Sequence, residues 1–378
     1  MSEPTELARA LVERLTADGH LRSPGWRRAL LETPRHAFLR GGYFRRADGA
    51  GEDGSGPTGW EPVMPEEPGW LPAVYADESL VTQIAGTIAP GDIRGRIFRA
   101  PTSSSTMPGL VVRMLEELRV EDGTRVLEIG TGTGFSTALL CHRLGDEHVT
   151  SVEVDPDVAV RARNALGSTG HLPRLIVGDG LAGDPDGGPY DRVVAACGVL
   201  EVPPAWLAQT RPGGQILATV CGWMYSSELA RLTVDDDGTA HGRLLGGQVS
   251  FMLARPQLPP PLGVLPDFAA GEERAAAFGG ADLDDWTTRF VAQLAAPRAQ
   301  HVRIPLHGGE PQDVVLDVDS GSWAALQRDG GRWTVRQGGP ERLWDRVEEY
   351  VTRWRRAGAP GLERFRIAVT AGGQSITW

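Results

Sequence analysis

The stretch VLEIGTGTGF, Val126 to Phe135, ends an apolar run in three alternating glycines, Gly130, Gly132 and Gly134. Alternating glycines let a backbone approach a ligand closely and present its amides at the start of the helix that follows. A dinucleotide fingerprint would read G-x-G-x-x-G; here the third glycine comes one residue early and Phe135 follows it. Glu128 stands just ahead of the loop. A carboxylate there opposes a pyrophosphate but suits a cation such as a sulfonium or an ammonium. The next apolar run ends in Glu153, 23 residues after Gly130, placed to take two ribose hydroxyls. A third ends in Gly178-Asp179-Gly180, where Asp179 can accept from an adenine amino group. Three such strand ends form one crevice, the usual ligand position in an open α/β sheet. The loop by itself leaves another nucleotide fold open. With Glu153 and Asp179 added, the pattern predicts S-adenosylmethionine, in contact with Glu128, Gly130, Thr131, Gly132, Gly134, Phe135, Glu153, Val154, Asp179, Gly180 and Leu181.

One helix upstream lies a second chemical signal, PTSSSTMPGL, with Ser103, Ser104, Ser105 and Thr106 in succession. Hydroxyls donate to an anionic acceptor without the full charge neutralisation that Lys or Arg would impose on a nucleophile. The composition fits equally a polar loop capping the helix that follows Pro108, since Ser and Thr are favoured at helix starts.

Positioning these residues requires a regular frame. In ELARALVERL, apolar residues recur at helical spacing, and a second helix is expected from Trp26 to Leu31, ending before Thr33–Pro34. Residues 47–70, rich in Gly, Pro and acids, read as a loop or inserted arm. From Gly109 onward, strand and helix patterns alternate: LVVRMLEEL, RVLEIG, FSTALLCHRL, VTSVEVD, PDVAVRARNAL, LPRLIVGDG, DRVVAACG, PPAWLAQTRPGG (a helix ended by Pro-Gly-Gly) and QILATVCG. That alternation means a parallel sheet covered on both faces. SELARLTVDDDGTAHGRL reads as a closing antiparallel hairpin. The expected organisation is an N-terminal helical and loop region over 1–100, a methyltransferase core over 101–255, a proline-rich linker over 256–268 and a smaller α+β accessory domain over 269–378. The fold class is α/β, Rossmann-like, of the class I S-adenosylmethionine-dependent type.

Composition excludes several classes. The 378 residues are 41% hydrophobic and 23% charged, and the formal net charge is −11. Such an acidic chain repels phosphates, so no nucleic-acid partner is expected. No apolar run approaches the ~18 residues of a membrane span. The N-terminus lacks the basic-then-apolar pattern of a secretion signal. Cys141, Cys197 and Cys221 form no CxxC pair and the eight histidines no HExxH, so neither a disulfide nor a metal site is expected. The expected compartment is the cytoplasm.

PRHAFL (34–39), YADESL (75–80), the Ser/Thr-x-Pro segment, VLEIGTGTGFSTALL, SVEVD, VGDG, PYDRVVAACG and VPPAWLAQTRPGG together resemble protein-L-isoaspartate O-methyltransferases over about residues 5–225. The resemblance implies methylation of a peptide carboxylate bearing Asp or isoaspartate. It also implies an active-site serine two residues before a proline; this sequence has Thr106 there, before Met107–Pro108, and a long insertion at 81–94 enters the loop. Ser103, Ser104, Ser105 and Thr106 are therefore the expected catalytic hydroxyls. The insertion, the Ser-rich run and the extra C-terminal unit further resemble a subgroup that matures ribosomal peptides in actinobacteria, beside ATP-grasp (graspetide), lanthipeptide and lasso-peptide systems. That resemblance implies an aspartate of a cyclised precursor peptide as substrate, its methyl ester collapsing to aspartimide or isoaspartate. General isoaspartate repair, or a binding module without turnover, stay open. The C-terminal unit is expected to recognise substrate or to close over the site. Arg35 and His36 either touch substrate or tie the N-terminal helices to the sheet; Tyr75 and Asp77 are expected to order the hydroxyl loop.

Overall fold

The computed structural model describes residues 3–47, 59–305 and 311–378. The chain divides into two compact units, Met1–Ala196 with Pro203–Leu217, and Cys197–Val202 with Ala218–Trp378.

The first unit opens with α1 (Glu3–Ala17), whose buried Ala8, Leu11, Val12 and Leu15 share one helix face, and α2 (Pro24–Glu32). A small sheet follows: β1 (Tyr43–Ala47), β2 (Gly59–Val63), the short helix α3 (Trp70–Val74), β3 (Leu80–Ile84) and β4 (Pro101–Ser105), in the order β2-β1-β3-β4. Then comes the alternating frame: α4 (Pro108–Glu117), β5 (Val126–Ile129), α5 (Phe135–Leu144), β6 (Val149–Glu153), α6 (Pro156–Ser168), β7 (Arg174–Val177), β8 (Tyr190–Val199), α7 (Pro204–Ala208) and β9 (Thr210–Cys221). β7, β6, β5 and β8 lie side by side and parallel. β5 and β6 are buried at every residue, as strands covered on both faces must be. Asp155 caps α6 by accepting from the Asp157 and Val158 amides, and Pro156 at its first turn needs no donor.

The second unit contains β10 (Ser227–Val234), β11 (Ala240–Leu244), β12 (Glu272–Ala276), α8 (Trp286–Ala295), β13 (Gln300–Ile304), β14 (Gln312–Asp317), β15 (Ser322–Asp329), β16 (Arg332–Gly338), α9 (Leu343–Arg356), β17 (Arg366–Thr370) and β18 (Gly373–Thr377). Five strands form an antiparallel sheet in the order β12-β16-β15-β14-β13. Its core packs Val314, Leu316, Trp323 and Ala325, with Phe268 edge-on to Trp323 at 5.2 Å.

Several expectations change here. The hydroxyl run is no loop: Pro101–Ser105 is an edge strand paired antiparallel with β3, and the segment read as an insertion begins inside that partner strand. A run of Ser and Thr has no apolar alternation to betray a strand; its partner lies some twenty residues away and supplies the pattern. Gly59–Val63, read as loop, is β2, while residues 48–58 of that arm lie outside the described residues. α7 ends at Ala208, not at the Pro-Gly-Gly, which lies inside β9 with Gly213 at φ +73°. The boundary expected at 255 is not where contacts divide, because β17 returns to pair with β11.

Candidate active site

The loop between β5 and α5 is built as the alternating glycines predict. Gly130, Gly132 and Gly134 all take positive φ, at 90°, 55° and 89°. The Gly130 amide donates to the Val152 carbonyl at 2.8 Å and the Gly134 amide to Thr131 at 2.9 Å, which leaves Gly132 at the crest. There the Gly132 amide donates to Glu153 Oε2 at 2.9 Å. A Cβ at Gly132 would stand 3.4 Å from the Ser104 carbonyl oxygen. The hydroxyl strand β4 therefore passes directly against the glycine loop. At the neighbouring strand end, a Cβ on Gly180 would fall 2.5 Å from Ile129 Cγ2, so only glycine lets this turn approach the end of β5.

Glu153 is buried, with its other oxygen taking the Asp155 amide at 3.1 Å. Asp179 is exposed, with Oδ1 accepting from the Leu181 amide at 2.9 Å. Val154 and Val177, at 37% and 48% exposed, offer bare apolar surface between these two acids. Acceptors flanking an uncovered apolar patch fit an adenosyl group: Glu153 for the ribose hydroxyls, Asp179 for the adenine edge, the valines for its face.

Three expected cofactor contacts are corrected. Glu128 is 1% exposed, and Ser136 Oγ at 2.5 Å, Thr137 Oγ1 at 2.5 Å and Ser151 Oγ at 2.8 Å all donate to its carboxylate. Burial pushes its pKa up against the pull of those hydroxyls. Its carboxylate is enclosed and locks the first turn of α5 beneath the loop. The Thr131 side chain is turned inward onto Ser151 at 2.6 Å. Phe135 is buried, edge-on to Phe38 at 5.8 Å. Glu128 lies in β5, Thr131 in the loop and Phe135 at the start of α5, and all three side chains are taken up inside the protein.

The four candidate hydroxyls separate. Ser105 is 2% exposed and its enclosed Oγ has no hydrogen-bond partner, so it is withdrawn as a catalytic candidate: pairing with Leu80 turns it toward the core. Ser103 Oγ accepts only a long bond from Thr82 Oγ1, 3.4 Å. Ser104 and Thr106 are half-buried, and neither hydroxyl is engaged by a described residue. These two remain to meet an acceptor. The capping alternative fails for this strand: α4 is capped from elsewhere, with Ser79 Oγ accepting from the Met107 amide at 3.0 Å and Asp77 Oδ1 from the Gly109 amide at 2.6 Å.

Of the two readings open at 35–36, Arg35 takes the structural tie. It is 1% exposed and donates to the carbonyls of Val74 (2.7 Å), Ala76 (2.9 Å), Glu78 (3.0 Å) and Thr106 (3.2 Å). Burial lowers its pKa to about 10 while Asp77 opposes the fall. It ties α3 and the 74–78 loop to the end of the hydroxyl strand. His36 Nδ1 lies 2.8 Å from the Tyr75 hydroxyl in the same layer. A second tie escaped sequence reading. Gln83 donates to Asp155 Oδ2 at 3.0 Å and accepts from Thr102 Oγ1 at 2.9 Å, linking β4 through β3 to the cap of α6. A lone polar residue in the apolar run LVTQI was the available signal.

Spacing also could not show that Cys141, Asp146 and His171 place their donor atoms within 4.8 Å of one another. Asp146 Oδ1 lies 3.0 Å from His171 Nδ1, and its other oxygen takes the Leu172 amide at 2.5 Å. Burial pushes the Cys141 thiol up, and the trio reads as a self-satisfied knot at the end of α5.

Residues 89–252 match the family model described as protein-L-isoaspartate(D-aspartate) O-methyltransferase. A protein-L-isoaspartate O-methyltransferase 1 from Anaeromyxobacter sp. is 47% identical over 117 residues, 30% of this chain and 54% of the relative. The protein-L-isoaspartate O-methyltransferase of Thermococcus onnurineus is 30% identical over 243 residues, 64% of this chain and 90% of the relative. The chain thus spans about half the length of the first relative and nine-tenths of the second. A solved structure titled protein-L-isoaspartate O-methyltransferase superposes with a TM-score of 0.56 at 21% identity, covering 98% of this chain and 99% of its own, a likeness of fold.

Proposed function

The chain belongs to the protein-L-isoaspartate O-methyltransferase family, and from that premise we propose that it methylates an isoaspartyl carboxylate of a polypeptide. The observation that carries the reading is the approach of the hydroxyl strand to the glycine loop, with Ser104 against Gly132 and two free hydroxyls beside it. Bound S-adenosylmethionine supplies an electrophilic methyl on a sulfonium.

The protein's part is positional. A peptide carboxylate with a pKa near ~3.9 is already ionised at neutral pH, so no general base is required. Thr106 and Ser104 donate to the carboxylate oxygen that does not attack, which holds the acceptor without quenching its charge. The attacking oxygen gains the methyl as the carbon–sulfur bond breaks, and no proton moves. Alignment within ~3–3.5 Å and exclusion of water carry most of the acceleration. The resulting ester has a better leaving group than a carboxylate. Attack by the next backbone nitrogen then closes a five-membered imide, its proton leaving with the methoxide as methanol.

A second acceptor, an aspartate of a macrocyclised ribosomal peptide, needs the same carboxylate chemistry; threonine in place of the family serine is the feature that favours it. The extra C-terminal unit does not, since a structure titled as an isoaspartate methyltransferase spans this chain end to end. Incubating the enzyme with methyl-labelled cofactor and three peptides (linear isoaspartyl, linear aspartyl and macrocyclic aspartyl) separates them. Label on the isoaspartyl peptide alone is expected; label confined to the macrocycle would move the assignment to peptide maturation, and label on none would end both.

A further inference from the structure

Beside the glycine loop lies a cavity of about 390 Å³ that the reaction above does not use. Thr82, Gly132 and Thr133 are among its lining residues, so it borders the glycine loop. Phe38, Pro90 and Val158 give it apolar lining, and Arg40 and Arg161 line it too.

Both arginines are exposed, and neither makes a hydrogen bond or an ion pair with any described residue. Asp157, one turn before Arg161 on α6, gives its amide to the Asp155 cap and no carboxylate bond to the arginine. Several arginines elsewhere are taken up by acids, among them Arg96 by Glu61, Arg143 by Asp122, Arg174 by Asp184 and Arg303 by Asp284 and Asp313; what sets Arg40 and Arg161 apart is that both line this cavity. On a chain of net charge −11, two guanidiniums lining one cavity without an acid partner make a local positive field against an acidic background. A concave site with low-dielectric walls strengthens such a field. Apolar lining together with two cations fits the aliphatic stem and carboxylate of a glutamate or aspartate side chain.

We propose that this cavity is a substrate subsite that binds an acidic side chain flanking the methylated residue, with Arg40 and Arg161 as its specificity-determining groups. The inference rests on the carboxylate-methylating reading above and names the class of polypeptide it favours: acidic ones. The cavity volume holds one or two side chains, so the anchor lies within a few residues of the acceptor along an extended chain.

The test compares three isoaspartyl peptides that differ only in flanking Glu, Gln or Lys, with wild-type protein and the Arg40→Gln/Arg161→Gln double variant. Both arginines are exposed, and an unchanged melting temperature verifies the fold. Wild type is expected to prefer the Glu over the Lys peptide about 10-fold in kcat/KM, the range of two partly screened charge contacts. The variant is expected to bring that ratio close to one, the change appearing in KM. Equal kcat/KM for all three peptides in wild type, or a preference that survives in the variant, would overturn the subsite. Fluorescence anisotropy of the labelled Glu peptide keeps the two claims separate: arginine-dependent binding without methylation supports the subsite and removes the assigned reaction.

Discussion

At the scale of single residues, the site divides the work between side chains that touch ligand and side chains that hold others still. In the proposed reaction Thr106 and Ser104 belong to the first kind; Glu128, Gln83 and Arg35 belong to the second. Thr106 carries an extra methyl relative to serine, which stiffens its rotamer and leaves the hydroxyl in place. Replacing Thr106 with Ala should lower kcat by roughly 10–100-fold, the cost of one hydrogen bond to a charged group. Thr106→Ser should recover most of it. Steady-state kinetics on an isoaspartyl peptide decides, and full activity in the alanine variant would discharge Thr106 from the mechanism. Arg35 shows why burial alone does not mark a catalytic group. Its guanidinium is spent on backbone carbonyls at 2.7–3.2 Å, with the ring of Phe135 5.8 Å away.

At the scale of elements, two networks place the hydroxyl strand. One runs from Thr102 through Gln83 to Asp155, so the cap of α6 and the register of β3 against β4 depend on one carboxylate. Asp155→Ala should cost about 2–3 kcal/mol in urea unfolding: about 1 for the cap and the rest for stranding the Gln83 amide. A loss under ~0.5 kcal/mol would show that the tie carries no load. In the second unit, Asp313 is buried between His301 Nε2 (2.8 Å) and Arg303 Nε (3.0 Å). Burial alone would raise its pKa, but these bonds outweigh it and hold the carboxyl below the ordinary range. A carboxyl depressed on folding stabilises fully above its unfolded pKa of ~3.9 and stops doing so as pH falls through the lower folded value. Stability of the β13–β14 pair should therefore fall below about pH 4, and Asp313→Asn should flatten that acid limb. Urea midpoints between pH 3 and pH 6 measure it; identical slopes for both proteins would count against the clamp.

At the scale of the whole chain, order in sequence and order in space part company. β11 pairs with β17, more than a hundred residues later, through Ala240↔Val369 to Arg243↔Arg366. Phe365, just ahead of that returning strand, and Ile367 within it are both buried. A chain stopped after Ala254, at the edge of the proline-rich segment, would leave β11 as an open edge and uncover apolar neighbours. Such a truncation is expected to aggregate on size exclusion and to be cut rapidly by trypsin within 227–254. A monodisperse, protease-resistant product would show that β10 and β11 need no partner. Among the described residues no helix is long and apolar enough to cross a membrane.

The frame from α4 through β8 was legible from sequence because its signals are local: apolar strands buried on both faces, helical stripes, and a glycine loop whose φ values only glycine adopts readily. Glu153, Asp179 and the three glycines were legible for the same reason, each sitting where a strand must end. What tertiary structure alone decided is which face each side chain presents. Glu128 turns under the loop; Ser105 turns into the core and Ser104 outward, because β4 takes its orientation from pairing with β3. A serine run carries no apolar alternation of its own, so its inward and outward positions are set by a partner strand and not by its own residues.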